Sequence, residues 1–167
     1  MSLKTLLLAS SLIVAACASY EGRGLKPGEA TLDDVRATMG QPAMQWQDPD
    51  GSRHLAYPRG PAGFHTFMVR LGPNGKVQSI ENVLDERHLA TIRAGMNKEE
   101  VLRILGPSDA RVTVYFPARD ELVWDWRFRG MSSEPMRMMV LFDANSGKVR
   151  STMVQREQFT DVEPTGR

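Results

Sequence analysis

The sequence predicts an α+β protein made of two tandem repeats, each a short helical segment packed on a three- to four-stranded antiparallel sheet. Three observations predict it. Two helix signals share one pattern of caps and stops. Alternating apolar residues follow each helix. Matched turn signals close each copy.

The first helix signal runs from Thr31 through Asp34 and Val35 to Met39, Gly40 and Pro42. The second runs from Asn97 through Glu100 and Val101 to Leu105, Gly106 and Pro107. In each, a capping residue is followed three positions later by an acid, so side chain and backbone N–H can satisfy one another reciprocally. Met96 and Val101 suit a hydrophobic staple. Gly40 and Gly106 supply the helix stop. Leu32, Val35 and Met39 share a face, as do Val101, Leu102 and Leu105. Both helices are too short to stand alone and require a sheet to pack on.

The strand signals match at offsets that grow along the chain. The helices are offset by 66 residues, Leu55 and Tyr57 match Trp124 and Trp126 at 69, and Phe67, Val69 and Leu71 match Met138, Val140 and Phe142 at 71. The turn at Pro73–Val77 matches Asn145–Val149 at 72. A stepwise drift places the extra residues in loops, where insertions are tolerated. Met44–Gln47 adds a fourth strand to the first copy if it pairs. The first copy spans about residues 25–84 and the second about 85–157, with Leu84–Ile92 as a helical lead-in. Residues 17–24 read as a tether and 158–167 as a polar tail.

The start of the chain carries a separate signal. Lys4 precedes an apolar run, Thr5–Val14. The run is shorter than the ~20 residues a membrane-spanning helix needs and suits the apolar region of a signal peptide. It ends in Val14-Ala15-Ala16-Cys17, which resembles the bacterial lipobox. The resemblance implies removal of residues 1–16 and attachment of acyl chains at Cys17, with Ala18 and Ser19 implying the outer membrane. Two other cuts stay open: ordinary signal peptidase leaving Cys17 unmodified, and cleavage after Ala18 that removes it.

Composition narrows the function. The chain has 167 residues, 41% hydrophobic and 25% charged, with a net charge of +1. From Cys17 onward the charges balance, without the basic excess of a nucleic-acid binder. The single cysteine excludes an intramolecular disulfide and a multi-cysteine metal site. His54, His65 and His88 share no metal-ligand spacing. No phosphate-binding glycine loop and no G-x-S-x-G elbow occur. The expectation is a non-catalytic protein without metal or cofactor.

The phrase Ile92-Arg-Ala-Gly95-Met96-Asn97-Lys-Glu-Glu100-Val101, followed by Leu105-Gly106-Pro107, resembles the helix motif of the SmpA/OmlA lipoproteins, to which BamE-like subunits of β-barrel assembly belong. Phe142-Asp143 and Gly147-Lys148-Val149 resemble that family's final hairpin. The resemblance covers residues ~88–154 well and ~25–84 more loosely. It implies an outer-membrane lipoprotein that serves as scaffold or accessory in envelope or β-barrel assembly. The doubled unit departs from the family's usual single copy. A tandem arrangement is similar to the β-lactamase inhibitory protein family, which implies a periplasmic protein-binding or inhibitor module instead.

Four residues are candidate partner contacts. Arg59 and Arg129 sit in equivalent loops, Pro58–Gly63 and Arg129–Pro135, each with an Arg-Gly pair. Trp124 and Trp126 form an alternating aromatic stripe with Phe128. That stripe reads first as the face of the sheet that packs under a helix, with an exposed binding face as the alternative.

Overall fold

The computed structural model describes residues 21–60 and 63–157. The expected signal peptide, Cys17 and the tail from 158 lie outside these. Among the described residues the fold is α+β, with two antiparallel four-stranded sheets and three short α-helices.

Helix α1 spans Leu32–Met39. Its capping box forms as the sequence predicts: Asp34 N donates to Thr31 Oγ1 at 3.3 Å, and Thr31 N donates to Asp34 Oδ2 at 2.8 Å. Gly40 ends it at φ 82°, where a side chain is strained. Strands β1 (Met44–Gln47), β2 (Arg53–Pro58), β3 (Thr66–Leu71) and β4 (Val77–Asn82) follow and pair in chain order. Met44–Gln47 therefore does pair, with Met44 opposite Ala56.

The second set begins with α2 (Glu86–Leu89), inside the expected lead-in, and α3 (Lys98–Leu105). Glu100 N donates to Asn97 Oδ1 at 3.0 Å, and Asn97 N to Glu100 Oε2 at 2.7 Å. Strands β5 (Val114–Phe116), β6 (Glu121–Arg129), β7 (Pro135–Asp143) and β8 (Val149–Arg156) again pair in chain order.

Alternation decides what each sheet buries. Leu55, Tyr57, Val69, Leu71 and Val77 share one apolar cluster with Val35 and Met39 of α1. Trp126, Phe128, Met138, Val140, Phe142 and Val149 cluster with Val101 and Leu105 of α3. The opposite face of the first sheet is also buried, through Ala56 and Met68 with Met44 and Trp46 beside them.

That second buried face departs from a simple pair of side-by-side units. The α3 end reaches it. Arg103 Nη1 bonds Asp48 Oδ1 at 2.7 Å, and its guanidinium lies 5.8 Å from the Trp46 ring centre. A Cβ on Gly106 would stand 2.7 Å from Thr66 Cγ2 and 3.4 Å from Ala56 Cβ. α3 thus serves its own sheet's core and also touches the back of the first sheet. Two independent helix-on-sheet layers would have left Ala56 and Met68 facing water.

Candidate interaction surface

Where the two sheets meet, β6 is only partly paired on its outer side. β5 covers Glu121–Val123. The connection from β2 to β3 and the segment Pro107–Val112 lie against the rest. Phe64, in that connection, has the guanidinium of Arg127 at 4.1 Å and that of Arg129 at 4.0 Å from its ring centre. Arg127 Nη2 donates to Glu157 Oε2 at 2.7 Å, and Arg137 Nε donates to Asp125 Oδ2 at 2.9 Å. Burial raises the carboxyl pKa of Asp125, and the Arg137 charge opposes that rise.

A narrow, partly open cavity of about 20 Å³ lies in this seam, lined by Thr66, Leu84, Asp109, Asp125 and Arg137 among others. That is room for about one water and no substrate. The seam's chemistry is cohesive: paired charges and a clasped aromatic ring hold the β2–β3 connection to the second sheet.

The structure redistributes the four candidate contacts. Trp126 is 3% exposed and donates its indole N–H to Gly106 O at 3.3 Å. Its ring is inside the core, so partner contact is corrected to packing at this position. Trp124 is half-buried, edge-on to Phe142 at 4.8 Å, with Lys98 Nζ 6.0 Å above it. Arg129 is exposed, but its guanidinium is engaged by Phe64 and by Ser133 O at 2.9 Å. Arg59 is exposed and stands 3.7 Å from Glu21, a surface pair of small energetic weight. The equivalent Arg-Gly loops are thus brought together through Phe64, which the sequence did not single out.

The histidines do not converge. His54 faces Asp48 at 3.4 Å, with its pKa lowered by burial and by Arg70. Its strand partners are Trp46 and Arg70, not His65. His88 Nδ1 lies 2.7 Å from Asp85 Oδ1. Among the described residues no group of three His, Cys, Asp or Glu has metal-binding geometry. No described helix is long and apolar enough to cross a membrane.

Apart from Met131 in the β6–β7 loop, the exposed large apolar side chains of the described residues gather on the edges of the second sheet. On β5 these are Val114, Tyr115 and Phe116; on β8 they are Met153 and Val154. Beside β8, a largely apolar groove of about 260 Å³ opens between Glu86 and Leu89 of α2, with Ala90 just after them, and Phe128, Met138, Thr152 and Val154. Sequence reading missed this, although a signal existed. Met153 and Val154 are adjacent, so alternation places them on opposite faces of β8.

No protein-family pattern matches the sequence, and no curated relative does. Among solved structures it is similar to an extracellular protein containing an SCP domain from Bacillus anthracis str. Ames, at 10% identity and a TM-score of 0.29. The match takes in 96% of this chain and 57% of that one, so the chain spans little more than half of that protein's length. A likeness at this level carries no argument about fold or function.

Proposed function

We propose that the mature chain is a non-catalytic lipoprotein of the outer membrane. It faces the periplasm, anchored through acyl chains on Cys17, and acts as a scaffold or accessory in envelope or β-barrel outer-membrane protein assembly. The observation that carries the reading is the placement of the chain's one cysteine directly after the apolar run and Val14-Ala15-Ala16. Lipid confines a protein to a surface and raises its effective concentration for membrane-bound partners. Several acyl chains give stable anchoring where one gives marginal binding.

The same reading takes the chain as two copies of one unit, each helix serving its own sheet. Equivalent contacts support it. Gly28 N donates to Val77 O at 2.7 Å, and Gly95 N to Val149 O at 2.8 Å. Thr31 bridges Lys76, and Asn97 bridges Lys148. Each last strand enters beside a β-bulge, at Arg70/Leu71 and at Leu141/Phe142. Duplication enlarges the surface available to partners without enlarging either core.

Intact mass of the membrane fraction tests the anchor. The expected product begins at Cys17 with several acyl chains, and Cys17→Ala releases the protein from membranes. An unmodified soluble chain overturns the anchor and shifts weight to the secreted inhibitor-like module. Crosslinking in intact envelopes then tests the assembly role: β-barrel assembly components are the expected partners.

A further inference from the structure

We propose that the free edge of β8 binds an extended peptide segment of a partner protein as an added strand, with one apolar side chain of the peptide in the groove beside α2 and a carboxylate on Arg156. The inference deepens the protein-binding part of the proposed function and rests on it, but it does not require the lipid anchor.

The backbone directions follow from one bond. Glu157 N donates to Pro135 O at 2.9 Å, so the Glu157 N–H points toward β7. In an antiparallel ladder these directions alternate. The amides of Gln155, Met153 and Ser151 therefore also face β7, opposite Arg137, Met139 and Leu141. Those of Thr152, Val154 and Arg156 face outward. β8 pairs with β7 alone among the described strands, so on its outer side these three have no ladder partner. Such a row is a template for one more strand.

The outward amides and the groove belong to the same residues. Thr152 and Val154 project side chains into the groove wall, and Val154 remains 51% exposed. A strand laid on this edge places every second side chain over the groove. Strand addition takes affinity from main-chain bonds and specificity from such pockets.

At the corresponding strand of the first sheet, the chain itself lies over the side chain of Ile80. A Cβ on Gly22 would stand 2.8 Å from Ile80 Cδ1 on β4, and the Glu81 carboxylate is met by Arg70, Arg87 and His88. Position 152 is the counterpart of Ile80 at the offset of 72. There, α2 stands off and leaves the groove.

Charge selects the class of peptide. The exposed stretch Arg150–Arg156 contains two arginines and no acid. Arg150 is neutralised by Asp143 at 2.5 Å, whereas Arg156 has no ion pair with a described residue. The fitting segment is extended, apolar at alternate positions and acidic near one end. Two copies of β8 fit less well, because antiparallel pairing centred on Met153 sets Arg156 opposite Arg150 of the other copy, in a stretch that offers it no carboxylate.

The test uses the full chain, ¹⁵N-labelled in detergent micelles, and the blocked peptide acetyl-Asp-Thr-Val-Thr-Leu-Thr-Val-amide, whose Asp shares a face with its apolar residues and, laid antiparallel, falls beside Arg156. The expected result is saturable binding, with shifted and slowly exchanging amides at Thr152, Val154 and Arg156. Thr152→Pro removes an outward N–H but no ladder bond, so it weakens binding by roughly tenfold or more with the rest of the spectrum kept. A peptide N-methylated at alternate residues fails to bind, a control that needs no protein variant. Arg156→Glu weakens this peptide and strengthens one with Lys in place of Asp.

Absence of saturable binding overturns the proposal. Shifts confined to β5 or the β2–β3 connection also overturn it, while leaving the protein-binding reading in place. Slow exchange of the three amides in the free protein overturns it in favour of the chain's own tail. Concentration-dependent dimers that protect them do so in favour of a second copy.

Discussion

Trp126 donates its indole N–H to the carbonyl of Gly106, the residue that ends α3. Tyr57 donates its hydroxyl at 3.1 Å to the carbonyl of Gly40, which ends α1. Each aromatic lies at the same place in its sheet and ties the last helical turn to the second strand. Helix ends leave carbonyls without intrahelical donors, so these bonds satisfy groups that packing would otherwise strand. Tyr57→Phe removes only the hydroxyl and should cost about 1 kcal/mol. Trp126→Phe also empties the volume of a second ring in a tight core, and should cost about 2–3 kcal/mol. Urea unfolding with unchanged slope measures both. Equal small losses would show that the indole volume contributes nothing at this position.

The two helix-ending glycines should respond differently to alanine. Both have positive φ, 82° at Gly40 and 71° at Gly106. Backbone strain alone costs about 1–3 kcal/mol in such conformations. A Cβ at Gly40 meets nothing within 4 Å, whereas one at Gly106 meets Thr66 Cγ2. Gly106→Ala should therefore be the more damaging of the two. Adding Thr66→Ser, which deletes that methyl, should recover part of the difference in the Gly106 background and nothing in the Gly40 background. A double-mutant cycle by chemical denaturation reads the contact between α3 and the first sheet directly.

Helices α1 and α3 and seven of the eight described strands were legible because local chemistry specifies them. Thr31/Asp34 and Asn97/Glu100 announce the helix starts, and Gly40 and Gly106 the stops. Phe67-x-Val69-x-Leu71 and Met138-x-Val140-x-Phe142 alternate as half-buried strands do. β5 was not legible: Val114–Phe116 is three residues long and wholly exposed, so burial imposes no period on it. The seam was not legible either. Phe64 gains its place from Arg127 and Arg129, more than sixty positions away. Nothing local marks that pairing. The Trp124 and Trp126 stripe had two readings because alternation says that a face exists, not whether a helix covers it. Packing with Val101 and Leu105 decides it at Trp126.

Asp125 and Arg137 should be strongly coupled. Asp125 is 7% exposed, and burial already holds its pKa above the ordinary value. Arg137→Met leaves that carboxylate without its cation and should cost about 3 kcal/mol near neutral pH. The double variant Asp125→Leu with Arg137→Met should recover most of this loss, because no unpaired charge remains buried. The sign with pH follows from linkage. A carboxyl whose folded pKa is raised binds its proton more tightly in the folded state, so its contribution to stability falls as pH rises from 3.8 through the folded pKa. In Arg137→Met that pKa rises further, so the variant should regain stability on acidification relative to the parent. A defect independent of pH between mild acid and neutrality would place the loss in packing rather than in the charge.

Asp143 titrates in the opposite sense. Its carboxylate accepts from Ser146 N at 2.7 Å and from Arg150 Nη2 at 2.5 Å in the hairpin between β7 and β8. These bonds, the backbone N–H of Ser146 first, lower its pKa from 3.8 to about 2. A depressed folded pKa gives stability that is fully present above the unfolded value and is lost as pH falls through the folded one. The stability gap between the parent and Asp143→Asn should therefore be constant at neutral pH, narrow below pH 3.8, and close near pH 2. Salt separates the two causes. Screening weakens the exposed Arg150 charge but not a hydrogen bond to a fixed backbone N–H. An NMR titration of the Asp143 carboxyl at low and high ionic strength should keep most of the depression at high salt, and Arg150→Gln should leave most of it as well. A pKa that returns to its ordinary value in either case would make the guanidinium, not the turn, the source of the shift.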